Sequence, residues 1–564
     1  MDVTEPSGRD VLRRAIWGQR GDVTLGSFLG AAHQAGEALV PLLIGVVIDQ
    51  AVARADLGAL LRWLAVLAVV YVGLSFGFRF GARAGERASE QAGHALRVDL
   101  VRRVLGPGGG AENGRLPGAL ASIGTEDAKR VGAVNMAVVS ALSALMGLLV
   151  GAVVLLWTSL TLGLIVLMGT PVLLWLGHLL SKPLERRSEA EQERVAHASG
   201  VAADLVTGLR VLKGIGAESA AVARYRRTSR DSLVATMRAA RAEAMQSGMV
   251  LALTGGFIAV VALVGGRLAA QGDISLGQLV SAVGLALFLL GPLEVLSWVN
   301  AEFAQGRASA ARIAGVLSAP PAVTAGGMRL PRPVRGEMRL RGVSHGGLRE
   351  VDLHVGPGEV LGVAATDPAD ATALLRCLSR QADPDAGVVE LDGIPLRDLD
   401  PADIRMAVLV AEHDAELFEG TVIGNTGAAA PESADLDRAM AAAAADEIVR
   451  ALPRGGQTLV SERGRSLSGG QRQRVALARA LAADRPVLVV HDPTTAVDAV
   501  TEARIAGGIR EIRRNRTTIL VTTSPALLAV ADRVVLLDNG RVTDTAPHAD
   551  LVRRHSAYRT AVLA

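Results

Sequence analysis

The sequence predicts an α-helical membrane domain of six transmembrane helices with long cytosolic extensions, followed by an α/β domain of the phosphate-loop type. Three observations carry that prediction. Half of the 564 residues are hydrophobic and the mean hydropathy is +0.34, high for a wholly soluble chain. From Val131 to Ser181 there is no Asp, Glu, Lys or Arg, a run of about fifty residues that accommodates two spans of roughly twenty and a tight turn. The third is Leu467-Ser468-Gly469-Gly470-Gln471 with Arg472-Gln473-Arg474 behind it, in a half of the chain where short apolar runs such as Pro486 to Val490 and Thr517 to Val521 read as strands.

The spans follow in order. Leu25 to Asp49 is interrupted by His33 and Glu37, and Trp63 to Phe78 is uncharged but short. The charge-free run supplies the third and fourth, turning at Trp157-Thr158-Ser159-Leu160-Thr161. Ser247 to Gly266 and Leu276 to Leu293 supply the fifth and sixth. Arginine and lysine concentrate in the N-terminal segment, in Arg79 to Arg130 and in Lys182 to Arg241, which predicts that these face the cytoplasm. Within them, Arg83 to Leu105 and Leu184 to Arg241 read as helices continuing beyond the bilayer. The polar segment up to Asp22 has no small-residue cleavage site and argues against a removable signal peptide.

Glu37 has two readings, a place on a substrate pathway or a packing position near the headgroups, because a carboxylate inside a span needs a cavity, a partner or the interface. Pro41, Pro171 and Pro292 read as kinks within spans. The formal net charge of +3 gives no reason to expect nucleic-acid binding, and the single Cys377 excludes an internal disulfide. No metal-ligand cluster stands out.

Prolines 320, 321, 331 and 333 mark a linker, so the domains divide as 1–318, a linker 319–335, and 336–564. At the head of the second domain, Ala364-Ala365-Thr366-Asp367-Pro368-Ala369-Asp370-Ala371 keeps the spacing of G-x-x-x-x-G-K-[ST] without its chemistry. Asp370 stands in the lysine place, Ala371 in the hydroxyl place, and Ala364, Asp367 and Ala369 where glycines belong. No lysine occurs after Lys213. Lysine to aspartate is a two-unit swing in charge, and one like-charge contact at 4 Å costs about 4 kcal/mol at an effective dielectric of 20. Thr372 offers a hydroxyl one position late.

Six spans with cytosolic extensions, a proline-marked linker and the Leu467 to Arg474 run together resemble an ATP-binding-cassette half-transporter of the exporter fold. Pro41 to Asp49 and Gly208 to Glu218 carry the resemblance in the membrane half. Glu462-Arg463-Gly464 before the signature and Val475-Ala-Leu-Ala-Arg-Ala480 after it carry it in the cassette. The resemblance implies a magnesium aspartate and catalytic glutamate where His491 and Asp492 stand, a glutamine at His413, and a switch histidine at Thr523. It also implies an adenine-stacking tyrosine where His345-Gly346-Gly347 runs on. By contrast Ser468, Gly469, Gly470, Gln471 and the interface aspartate Asp498 match.

Because cassettes of this family close head to tail, the expectation is a degenerate subunit of a heterodimer. It would lend its signature to ATP and magnesium held mainly by a partner half-transporter with intact Walker A and B motifs. The pair would sit in the cell membrane, cassette and N-terminus cytoplasmic, moving an unidentified small molecule, lipid or peptide. ATPase activity would belong to the complex and not to this chain alone. The alternatives are a non-transporting regulatory subunit and an exporter-fold importer of a metal chelate.

Overall fold

A computed structural model of the chain describes residues 6–324, 326–413 and 416–563. The first five residues of the polar N-terminal segment and Ala325 of the linker therefore lie outside the described residues, as do the side chains of 178, 183–186 and 189 in the fourth span and the second extension. The chain divides into two compact units, one of Met1–Val101 with Leu116–Ser318 and the other of Arg102–Arg115 with Ala319–Ala564.

Among the described residues, six helices that begin in the first unit are long and apolar enough to cross a membrane. They are Arg20–Val52, Leu57–Val104, Pro117–Thr158, Leu160–Lys182, Glu218–Gln271 and Leu276–Leu317. Each contains one expected span. The third and fourth are separated by Ser159 alone, whose extended backbone (φ −161°) breaks the helix and whose hydroxyl caps the next by accepting the Leu162 N–H. Leu57–Val104 is one unbroken helix of 48 residues, about 70 Å at 1.5 Å per residue and so more than twice a bilayer core. The second extension is not one rod. Helix Leu160–Thr207 ends at Gly208, a short helix Leu209–Gly214 follows, and Gly216 at φ +67° turns the chain into Glu218–Gln271. Only a residue without Cβ takes that left-handed conformation freely.

Small residues let these helices approach closely. A Cβ on Gly132 would stand 2.4 Å from the Ser89 carbonyl oxygen, and one on Gly277 would stand 2.1 Å from that of Gly45. The matched segment ending at Asp49 has a structural task here. Its carboxylate accepts the Ser275 hydroxyl and the Gly277 N–H (2.8 Å), capping the sixth span at its start. The Pro41 carbonyl receives the Ser281 hydroxyl at 3.0 Å.

In the second unit, β1 (Met338–His345) and β2 (Leu348–Val355) form a hairpin extended by β4 (Ala386–Leu391) and β5 (Ile394–Pro395). The main sheet combines β3 (Val360–Ala365), β6 (Val408–Ala411), β9 (Val487–His491), β10 (Thr517–Val521), β11 (Arg533–Asp538) and β12 (Arg541–Ala546) in the order β12-β11-β3-β10-β9-β6. A small pair, β7 (Gly420–Thr421) with β8 (Leu459–Val460), stands apart. All partners in the main sheet except β11 and β12 are parallel, and β3, β9 and β10 are buried along nearly their whole length, with β3 and β9 almost wholly apolar, as strands covered on both faces must be. Their register pairs Val521 with both Val363 and His491. The loops that follow these three strands therefore emerge together, the position where open α/β sheets place ligands.

Candidate functional site

Those loops and the segments packed beside them carry the residues singled out from the sequence, in two groups with different fates. The first group begins after β3. Asp367 caps the helix Pro368–Leu378 by accepting the Ala369 N–H, so a turn that would present N–H groups to phosphate is closed on its own side chain. Asp370, in that helix's first turn, is only 4% exposed. Its Oδ2 accepts the Gly540 N–H at 2.8 Å, in the turn between β11 and β12, and its Oδ1 lies so close to Gly347 that a Cβ there would stand 2.0 Å away. The charge expected to face a triphosphate is thus held inside the fold as a hydrogen-bond acceptor.

The same β11–β12 turn also meets the β1–β2 turn, where the resemblance implies an adenine-stacking tyrosine. Gly540 accepts the Arg349 N–H (2.8 Å), which ties the β11–β12 turn to the short β1–β2 turn at Gly346-Gly347. Ala371 is buried, and the Thr372 hydroxyl donates to Pro368 of its own helix at 2.9 Å. Ala371 has no side-chain oxygen to offer a cation, and the Thr372 hydroxyl stands one position beyond the hydroxyl place. Thr366 donates its hydroxyl to Asp538 at 2.7 Å.

At the ends of β6 and β9, His413 and His491 face one another edge to face, ring centroids 5.2 Å apart, and His491 Nε2 lies 3.6 Å from the Asp492 carboxylate. Burial holds the His491 imidazole below its ordinary pKa, opposed by the neighbouring Asp492. Two imidazoles in place of an amide oxygen and a carboxylate do not suit magnesium, a hard ion that takes oxygen ligands. No group of three or more metal-binding side chains occurs among the described residues. Thr523 is exposed in the loop after β10. The residues of this first group therefore do not fit ATP with magnesium.

The second group is intact in geometry. Ser468 caps the 14-residue helix Gly469–Ala482 in a reciprocal box: its hydroxyl accepts the Gln471 N–H and its own N–H donates to the Gln471 side chain at 2.9 Å. That leaves the Ser468 O–H proton and the first N–H groups of the helix, on Gly469 and Gly470, without intrahelical acceptors. Ser468 and Gly469 are exposed. Gly470 is required by packing, since a Cβ would stand 2.4 Å from the Ala496 carbonyl oxygen.

Gln473 locks this helix to the segment after β9. Its amide donates to the Thr495 hydroxyl at 2.6 Å and accepts the Ala496 N–H at 2.9 Å. The segment leads to Asp498, which caps helix Ala499–Ile512 through the Thr501 N–H (3.0 Å) and hydroxyl (2.8 Å). Those two bonds lower the Asp498 pKa, keeping it anionic. Asp498 is exposed and Val500 beside it is 82% exposed. The Gln473 lock was not evident from the sequence; its signal was only that a glutamine sits one turn into the signature helix.

Two family models match the chain. The ABC transporter transmembrane region matches residues 23–293 and the ABC transporter domain matches 348–495. Over 549 residues the chain is 34% identical to a multidrug efflux ATP-binding/permease protein of Mycobacterium bovis, which covers 96% of this chain but 46% of the relative. The chain thus spans about half the length of that relative. An ATP-dependent lipid A-core flippase of Thiobacillus denitrificans is 30% identical over 414 residues, 72% of this chain and 71% of the flippase, and one of Xylella fastidiosa is 29% identical over 416 residues.

Proposed function

The chain belongs to the ATP-binding-cassette transporter family, and from that premise we propose that it is the degenerate half of a heterodimeric exporter. In this reading it contributes six spans and one signature surface, while a second half-transporter with intact Walker motifs supplies the phosphate loop. The observation that carries the reading is the contrast within one domain: the Asp370 loop is filled by its own chain, whereas Ser468, Gly469 and Gly470 stand open at a helix start.

A helix N-terminus with free N–H groups and the positive end of its dipole favours a phosphate. The Ser468 hydroxyl and the two glycine N–H groups would donate to the terminal phosphate of ATP seated on the partner's loop. Asp498 and Val500, exposed beside them, offer a face for the partner's cassette. ATP bound with magnesium supplies the closing and hydrolytic chemistry; this chain's residues orient it, and Gln473 keeps the signature and the Asp498 segment moving together. The second site, built on Asp370 and His491, stays without turnover.

The arginine-rich segments support a reading in which the cassette and the N-terminus lie on the cytoplasmic side of the cell membrane. Relatives named for multidrug efflux and lipid A-core flipping support outward movement of an amphipathic small molecule or lipid. The test is ATP hydrolysis by the co-purified pair with Ser468→Arg in this chain. Loss of the hydroxyl and obstruction of the N–H groups should lower turnover on the order of a hundredfold, as removal of a positioned anion-stabilising donor does elsewhere. Unchanged turnover would refute the composite site.

A further inference from the structure

The membrane unit contains a cavity of 620 Å³ between the first, second and sixth spans, within the usual size of a small-molecule site. Glu37 is the one acidic residue on its wall, and Tyr71, Phe78 and Phe288 gather around it, in a chain with only 3 Tyr and 8 Phe. The Glu37 side chain is 46% exposed, so a ligand can reach it.

Its only ionic neighbour among the described residues is His33, whose Nε2 lies 3.7 Å away. The hydrogen bonding of His33 fixes what it can offer. Nδ1 is 2.9 Å from the Leu74 carbonyl oxygen, which can only accept, so Nδ1 carries the proton. In the neutral ring Nε2 is then a bare lone pair and gives Glu37 no hydrogen bond. The imidazole also packs against Phe78, ring centroids 5.4 Å apart. An anion placed here would meet the carboxylate. A divalent metal would find too few ligands, because no group of three or more metal-binding side chains occurs among the described residues. An uncharged hydrocarbon would leave the Glu37 carboxyl group facing it without a polar partner. The group that satisfies the wall is a large monovalent organic cation, its charge on Glu37 and its apolar body on the aromatic rings.

We propose that this cavity, centred on Glu37, is a binding site for lipophilic organic cations. As a substrate site it rests on the transporter reading, but the binding itself needs neither nucleotide nor partner. The experiment is equilibrium binding of radiolabelled tetraphenylphosphonium to the full chain in lipid nanodiscs at pH 8 without ATP. Wild type should bind saturably, and Glu37→Gln should weaken binding at least about tenfold, the loss that 1.4 kcal/mol represents. Phe78→Ala, which leaves the carboxylate in place, should weaken it less, and uncharged triphenylphosphine oxide should bind equally to wild type and Glu37→Gln. Absence of saturable binding by wild type overturns the proposal, as does equal affinity in Glu37→Gln eluting as wild type does on size exclusion. If Glu37→Gln does not elute so, undiminished binding by Phe78→Ala overturns it instead. None of these results depends on Ser468, so this site and the composite ATP site can fail separately.

Discussion

The carboxylate of Asp370 accepts the N–H of Gly540 at 2.8 Å, joining the start of the helix after β3 to a hairpin turn 170 positions later. A position that a working phosphate loop gives to lysine thus has a structural function, and a lysine there would bring a cation against an N–H in a buried site. Asp370→Lys should therefore restore no ATP binding. Asp370→Ala should lower stability by about 1–3 kcal/mol, the usual consequence of orphaning a buried donor, whereas Asp370→Asn, which keeps an acceptor, should lose less. Thermal melting of the three variants checks the order.

Gln473 should matter to the proposed pair and little to the fold. Gln473→Ala removes two hydrogen bonds on a partly exposed surface, which together contribute about 1–3 kcal/mol. The chain should still fold and assemble, and ATP turnover of the pair should fall about tenfold because the signature and the Asp498 segment no longer hold a common position. Turnover equal to wild type would remove Gln473 from the account.

His491 predicts a pH effect of defined sign. Its folded pKa lies below its unfolded value because burial disfavours the cation, so near and below pH 6.5 the unfolded chain binds more protons at this site. Stability should rise with pH through that region and its contribution should be lost as pH falls through the lowered pKa. His491→Asn should flatten the wild-type slope of melting temperature between about pH 5 and 7, and an unaltered slope would contradict the assignment.

In the membrane unit, Asp49→Ala removes the acceptor for Ser275 and Gly277 at the head of the sixth span. Loss of a helix cap typically costs about 1 kcal/mol, and the two spans it joins should separate earlier on heating. Detergent melting curves read this directly.

The spans were legible because a lipid-facing helix must exclude charge over about twenty residues, and Val131 to Ser181 shows that exclusion plainly. Its break at Ser159 was legible within the five residues from Trp157 to Thr161. The first span was harder to read, since His33 and Glu37 interrupt it; both line a cavity whose wall is assembled only when three spans distant in sequence come together. The turn at Leu209–Gly214 was hidden because the charge pattern on either side is equally helical, and the break depends on Gly208 and Gly216. In the cassette, local motifs could be counted along the chain. The Asp370 to Gly540 bond could not, because it joins distant segments and follows no spacing rule.

The most direct measurement is binding of a fluorescent ATP analogue with magnesium to this chain purified alone. No saturable binding is expected at the Asp370 loop, and Asp370→Lys should be equally silent. Stoichiometric binding that depends on magnesium and is lost on altering the Thr366 to Ala371 segment would contradict that expectation.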